Sequence, residues 1–169
     1  MPTRVWTRAY LGLGSNVGER AQALSQAVAA LGEHRRLRVR RQASLYETEP
    51  VGPEAQAWFL NTALEVDTAL APEALLEHCK SVERALGRVP RQRWGPREID
   101  VDLLLYGPWV VCAPGLVVPH TQMKTRRFVL LPLLELAPTL ICPRERRPMS
   151  DFVAALSDQK KVRPFAKKL

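Results

Sequence analysis

Between Arg88 and Tyr106 the chain reads RVPRQRWGPREIDVDLLLY. Four arginines (Arg88, Arg91, Arg93, Arg97), Trp94 beside a Gly95-Pro96 turn, and the pair Asp100 and Asp102 fall within these nineteen residues. Ile99, Val101 and Leu103 alternate with the two aspartates before Leu103-Leu104-Leu105 runs fully apolar, which is the pattern of a strand. Alternate strand residues share a face, so both carboxylates point the same way, with α-carbons about 6.6–6.8 Å apart. That spacing suits oxygen-seeking cations held about 3.5–4 Å from one another. Carboxylates collect Mg²⁺ and guanidinium forks collect phosphate oxygens, so the stretch suggests a nucleotide polyphosphate with its metals. An Asp/Arg salt-bridge lattice at a strand end would use the same residues, and this stretch alone does not separate the two readings.

Other residues bear on the choice. Trp58 to Val66 reads as a strand in which Phe59 and Asn61, two apart, share one side. Core packing explains an aromatic there, but an amide has four hydrogen-bonding positions to fill, and a flat heterocycle would satisfy both side chains. His120 follows Pro119 at a strand end and precedes Lys124, Arg126 and Arg127. A lone histidine is more often structural than catalytic, yet the neighbouring cations speak for a functional role. GLGSNVGER fails as a phosphate loop, being neither GxxxxGK[ST] nor GxGxxG, and reads as a tight strand-to-helix turn. Arg36, Arg38 and Arg40 alternate with Leu37 and Val39 along Arg36 to Tyr46, giving a solvated strand surface, with an RNA-binding strip as the lesser alternative.

The elements that must position these residues follow from periodicity. Ala9 to Gly14 is a first strand. Asn16 with Glu19 resembles a capping box opening a helix whose stripe is Leu24, Val28 and Leu31. Thr48 to Pro53 is a loop. Pro72 starts a helix with Leu75, Cys79, Val82 and Leu86 on one face, and Gly87 stops it. Trp109 to Cys112 and Leu116 to Val118 form a hairpin around Pro114-Gly115. Val129 to Leu136 is a helix closed before Pro138. The tail from Arg144 onward holds a short helix at Phe152 to Leu156 and no legible chemistry. The order contains the βαββαβ pattern of a ferredoxin-like α/β (α+β) sandwich, with a mainly antiparallel sheet, helices on one face and C-terminal additions. One domain is expected over residues 1–169, its core at about 9–143 and a basic tail at 144–169.

The chain has 169 residues, 46% of them apolar, enough for a proper core and too many for disorder. No apolar run approaches the roughly 20 residues of a membrane span. MPTRVWTRAY lacks the apolar segment of a signal peptide, so a cytoplasmic location is expected. Cys79, Cys112 and Cys142 are odd in number and lack C-x-x-C spacing, so neither a disulfide framework nor a zinc site is indicated and reduced thiols serving as small apolar side chains are expected. The net charge of +8 favours anionic partners, whether nucleic acid or phosphorylated small molecules.

RWGPREIDVDLLLYG, with GLGSN, FLN and VPH near their present spacings, resembles the hydroxymethyldihydropterin pyrophosphokinase family of folate biosynthesis, from about Tyr10 to Pro143. The resemblance implies a ferredoxin-like fold and Mg²⁺-dependent transfer of diphosphate from ATP to 6-hydroxymethyl-7,8-dihydropterin, without a covalent enzyme intermediate. It implies that Asp100 and Asp102 hold two Mg²⁺ ions. Arg88 and Arg97 would be catalytic and bind ATP together with Lys80, His120 and Thr121. Phe59, Asn61, Phe128, Thr48 and Val51 would take the pterin, and Arg93, Trp94 and Arg126 would take part in loop closure. Phe59, Lys80 and Thr121 depart from the tyrosine, glutamine and tyrosine that some members carry. The partners so implied are ATP and the pterin, for a monomer with no nucleic acid and no membrane. A ferredoxin-like RNA-binding module is the rival, but it would carry an RNP-type signature, absent here, and has no use for a forward-facing Asp-x-Asp.

Overall fold

The alternation of short apolar strands with two amphipathic helices produces a sheet with helices packed against it. The computed structural model describes residues 5–51, 55–89, 95–157 and 160–165. In chain order the elements are β1 (Thr7–Ser15), α1 (Arg20–Gly32), β2 (Leu37–Gln42), β3 (Tyr46–Thr48), β4 (Phe59–Thr68), α2 (Pro72–Ala85) and β5 (Asp100–Tyr106). There follow β6 (Val111–Ala113), β7 (Leu116–Val118), α3 (Arg127–Leu136), β8 (Ile141–Cys142), β9 (Arg147–Pro148), α4 (Met149–Ala154) and β10 (Val162–Pro164).

Six strands make the main sheet in the order β10-β3-β4-β1-β5, with β2 also paired to β4. All its pairings are antiparallel. The order β2-β4-β1-β5 with α1 and α2 as crossovers is the expected ferredoxin-like arrangement. One core joins the face bearing Leu11, Leu13, Leu64, Val101 and Leu103 to Leu24 and Leu31 of α1 and Leu75, Cys79 and Val82 of α2. A second joins Tyr10, Ala63 and Leu104 on the opposite face to Leu130 and Leu133 of α3 and Met149 at the start of α4. The C-terminal additions thus cover part of the face that α1 and α2 leave bare. None of the described helices is long and apolar enough to cross a membrane.

Two expectations are corrected. Asn16 and Glu19 form no capping box: Glu19 caps α1 without a side-chain bond. Asn16 instead donates to the Ala57 carbonyl (3.1 Å) and the Gln56 side chain (3.2 Å) and accepts from the Arg97 amide (2.7 Å). It is a tertiary tie rather than a local one. The strand expected over Arg36 to Tyr46 is broken in two, because the Ala43 amide bonds back to Ala63 (2.9 Å) and Ser44 turns its amide and hydroxyl to Glu135 (2.9 Å each). A bulge between Val39 and Arg41 also breaks the alternation of β2. Its arginines meet partners: Arg40 pairs with Asp67, Arg41 with Glu65, and Arg38 lies over the Trp6 ring at 4.4 Å.

Pro72 at the first turn and Gly87 beyond the last bound α2 as expected. Gly87 takes φ +85°, a left-handed conformation that releases the chain toward Arg88. The hairpin β6–β7 turns at Pro114-Gly115, and the tail contributes α4 and a strand, β10, that periodicity did not announce.

Candidate active site

Strand register assembles the site. Gly14 of β1 lies opposite Asn61 of β4 on one side and Asp100 of β5 on the other. Two residues along, Gly12 lies opposite Ala63 and Asp102. Side chains two apart share a face, so Asn61, Asp100 and Asp102 project from one surface across a central strand that presents no side chain. The glycines keep that surface open. A Cβ on Gly14 would stand 2.6 Å from the Asn61 Oδ1, closer than real packing allows, and one on Gly12 would press Leu104 at 3.3 Å.

Above this row is a cavity of about 140 Å³. Thr48, Val51, Phe59 and Asn61 line one end, Arg97, Asp100 and Asp102 the other, and Arg126 and Phe128 reach in from the start of α3. The Asn61 amide donates to the buried Thr48 hydroxyl at 2.7 Å, which fixes the amide plane between the aromatic end and the acidic end. The Arg126 guanidinium lies 5.8 Å from the Phe128 ring centre. Asp100 is ion-paired with Arg88 at 3.0 Å and with Arg97 at 3.6 Å. Arg97 is itself placed by the bond between its amide and Asn16.

Behind the aspartates lies Glu83 of α2, 2% exposed. Its carboxylate accepts from the Val101 amide (2.6 Å), from Lys80 (2.8 Å) and from Arg88. Lys80 also donates to the Val101 carbonyl at 3.1 Å and stands 3.9 Å from Asp102. Glu83 and Lys80 therefore hold the amide and the carbonyl of Val101, the residue between the two aspartates. Burial raises the Glu83 carboxyl above its ordinary value, against the opposing pull of Lys80. Burial, then the neighbouring Asp100 carboxylate, push Asp102 up to about 6. Two hard oxygen donors crowded on one face, one of them reluctant to ionise alone, are a donor set suited to Mg²⁺. Among the described residues no third carboxylate, histidine or cysteine completes a cage. That also fits Mg²⁺, which keeps waters and substrate phosphates as its other ligands.

The residues expected from sequence fall into three groups. Thr48, Val51, Phe59, Asn61, Arg97, Asp100, Asp102, Arg126 and Phe128 share the cavity, while Arg88 and Lys80 adjoin it through the aspartates. His120 and Thr121 do not line it. His120 follows the cis Val118–Pro119 peptide, its amide bonds to Leu104 at 3.0 Å, and its Nδ1 accepts from the Gln122 amide at 3.2 Å. Burial and the Arg126 charge hold its imidazole below the ordinary value. Arg93 and Trp94 lie outside the described residues. Sequence reading missed Glu83, Asn16 and the service of Gly12 and Gly14. Glu83 was the most accessible of these, standing one helical turn beyond Cys79 on the apolar face of α2.

Residues 10–138 match the model of the 7,8-dihydro-6-hydroxymethylpterin-pyrophosphokinase family. The chain belongs to this family. It is 50% identical over 135 residues to the 2-amino-4-hydroxy-6-hydroxymethyldihydropteridine pyrophosphokinase of Methylorubrum extorquens, covering 80% of this chain and 85% of that protein. It is 44% identical over 160 residues to the protein of the same name from Bacillus subtilis, covering 95% and 91%. Among solved structures it resembles wild-type Plasmodium falciparum HPPK-DHPS, with a TM-score of 0.71 at 14% identity over 92% of this chain. That likeness concerns the fold alone, and the chain spans 45% of that solved chain.

Proposed function

We propose that the chain transfers diphosphate directly from ATP to the hydroxymethyl group of 6-hydroxymethyl-7,8-dihydropterin, releasing AMP, as a pyrophosphokinase of folate biosynthesis. The observation that carries this reading is the register Asn61–Gly14–Asp100, which sets the Asn61 amide and the carboxylate pair on either side of one glycine in the wall of one cavity.

Phe59 and Phe128 offer faces for the pterin ring, and Asn61, oriented by Thr48, offers an amide to its polar edge. Arg88, Arg97 and Arg126 supply the positive charge that a triphosphate requires. Asp100 and Asp102 would hold two Mg²⁺ ions, which when bound neutralise the polyphosphate and polarise its oxygens. The Thr48 hydroxyl is engaged with Asn61 and the Thr62 hydroxyl with the Ala43 carbonyl, so neither hydroxyl is poised for covalent work. Catalysis then rests on positioning and on fixed charge, as phosphoryl transfer generally does. His120, held neutral near pH 7, offers the triphosphate a hydrogen bond without a full charge. The segment with Arg93 and Trp94 would close over both substrates with Arg126, excluding water.

The test is AMP formation from ATP with and without the pterin. Formation that needs the pterin supports the reading, and equal AMP release in its absence overturns it. Asp100→Ala should lower kcat by about 10²–10³ while leaving the circular dichroism unchanged; activity near that of the parent at saturating Mg²⁺ would remove Asp100 from the metal site.

A further inference from the structure

We infer that the C-terminal strand β10 and the residues before it are a positioning element for the pterin: Lys160, Lys161 and Arg163 hold the cavity wall from Glu47 to Val51 in its binding form. This rests on the reading that the Thr48–Phe59 end of the cavity receives the pterin.

Nothing within residues 46–51 explains why that segment holds still. It is three residues of strand, paired to β4 on one side, followed by a loop containing Pro50. The tail supplies the restraint residue by residue. Val162, Arg163 and Pro164 pair with Thr48, Glu47 and Tyr46. Beyond the paired strands the Glu49 amide donates to the Lys161 carbonyl (3.2 Å), and the Lys161 amide returns a bond to the Glu49 carboxylate (3.0 Å). One step further, the Lys160 ammonium donates to the Pro50 carbonyl at 3.0 Å. Thr48, Glu49 and Val51 are cavity wall, and Thr48 orients Asn61.

Arg163 does more than pair. Its Nε and Nη2 both meet the Glu47 carboxylate, at 3.0 and 2.6 Å, and its guanidinium lies 4.7 Å from the Trp58 ring centre. Trp58 adjoins Phe59, the aromatic of the cavity. From α1, Arg20 takes the other Glu47 oxygen at 2.9 Å and the Trp58 carbonyl at 2.6 Å. Arg163 therefore touches both β3, through Glu47, and Trp58, the residue that leads into β4. The Arg163 side chain is 65% exposed, and exposed pairs add little to global stability. Its effect belongs to preorganisation of the wall, which is felt in affinity.

The experiment is steady-state kinetics on the full chain carrying Arg163→Ala, Lys160→Ala or both, with Phe59→Ala alongside. The double variant should raise KM for the pterin by about five- to tenfold while KM for ATP and kcat stay within about twofold, and Arg163→Lys should recover part of the loss. Pterin KM within twofold of the parent, with Phe59→Ala impaired, overturns the inference and leaves the site reading standing. Unchanged pterin KM in Phe59→Ala removes that reading and the inference with it. A double variant whose Tm and kcat fall while both KM values rise together shows a structural role and overturns the positioning role.

Discussion

A single missing side chain decides what the sheet can hold. Gly14 sits between Asn61 and Asp100, and Gly14→Ala would drive a methyl group into the Asn61 carbonyl oxygen, 2.6 Å away. The strand backbone tolerates alanine there, so the clash falls on the amide. Overpacking of this kind costs about 1–3 kcal/mol, and calorimetry should show pterin affinity weakened by at least about tenfold while ATP affinity holds. Glu83 answers to a different rule. Glu83→Ala would leave Lys80 and Arg88 short of a buried counter-charge and the Val101 amide without its acceptor. Leaving a buried donor such as the Val101 amide without its acceptor costs about 1–3 kcal/mol, so urea denaturation should show a loss of that size. The aspartate pair was legible because strand alternation is local to the sequence. The duties of Gly14 and Glu83 were not, since each depends on which residue a neighbouring element sets opposite it. Asn16 shows the converse error: a residue type that caps helices is drawn away by a stronger tertiary demand, the Arg97 amide.

At the scale of elements, helices and turns were the more readable. The stripe of α2 was visible from its 4, 3, 4 spacing and Gly87 from its place after the last apolar residue. With φ +85° and nothing within 4 Å of a would-be Cβ, Gly87 is constrained by backbone shape alone. Gly87→Ala should therefore cost about 1–2 kcal/mol, measurable as a lowered midpoint in denaturant, and should also disturb Arg88, the next residue. The strands were less readable where pairing overrides pattern. A run of alternating residues from Arg36 to Tyr46 looks continuous, but Ala43 and Ser44 are claimed by Ala63 and Glu135, and the break creates the short β3 that carries the cavity wall. β10 is three residues long and contains a proline, so its existence depends on β3 offering an edge, a condition no local pattern records.

Over the whole molecule, charge is arranged as interlocked pairs as well as surplus. Arg41, and then the Tyr10 hydroxyl, hold Glu65 below its ordinary carboxyl value against the opposing effect of burial, and Arg163, then Arg20, do the same for Glu47. A carboxyl whose pKa falls on folding contributes stability that is complete above its unfolded value, near 4.5, and is lost as pH falls through the lower folded value. The difference in melting temperature between the parent and Glu65→Gln should be full above about pH 5 and shrink below about pH 4.5. The same arrangement governs the borders of the sheet. On β10 the outermost strand carries Pro164, which has no amide hydrogen to offer. Along β2 the rim bristles with Arg38 and Arg40, and beside β5 the Leu104 carbonyl is already taken by the amide of His120. Proline, like charges and occupied carbonyls all discourage a foreign strand from docking. Among the described residues, the borders of the main sheet are thus poorly disposed to zip onto a second copy through backbone bonds, which leaves side chains as the favoured means of contact.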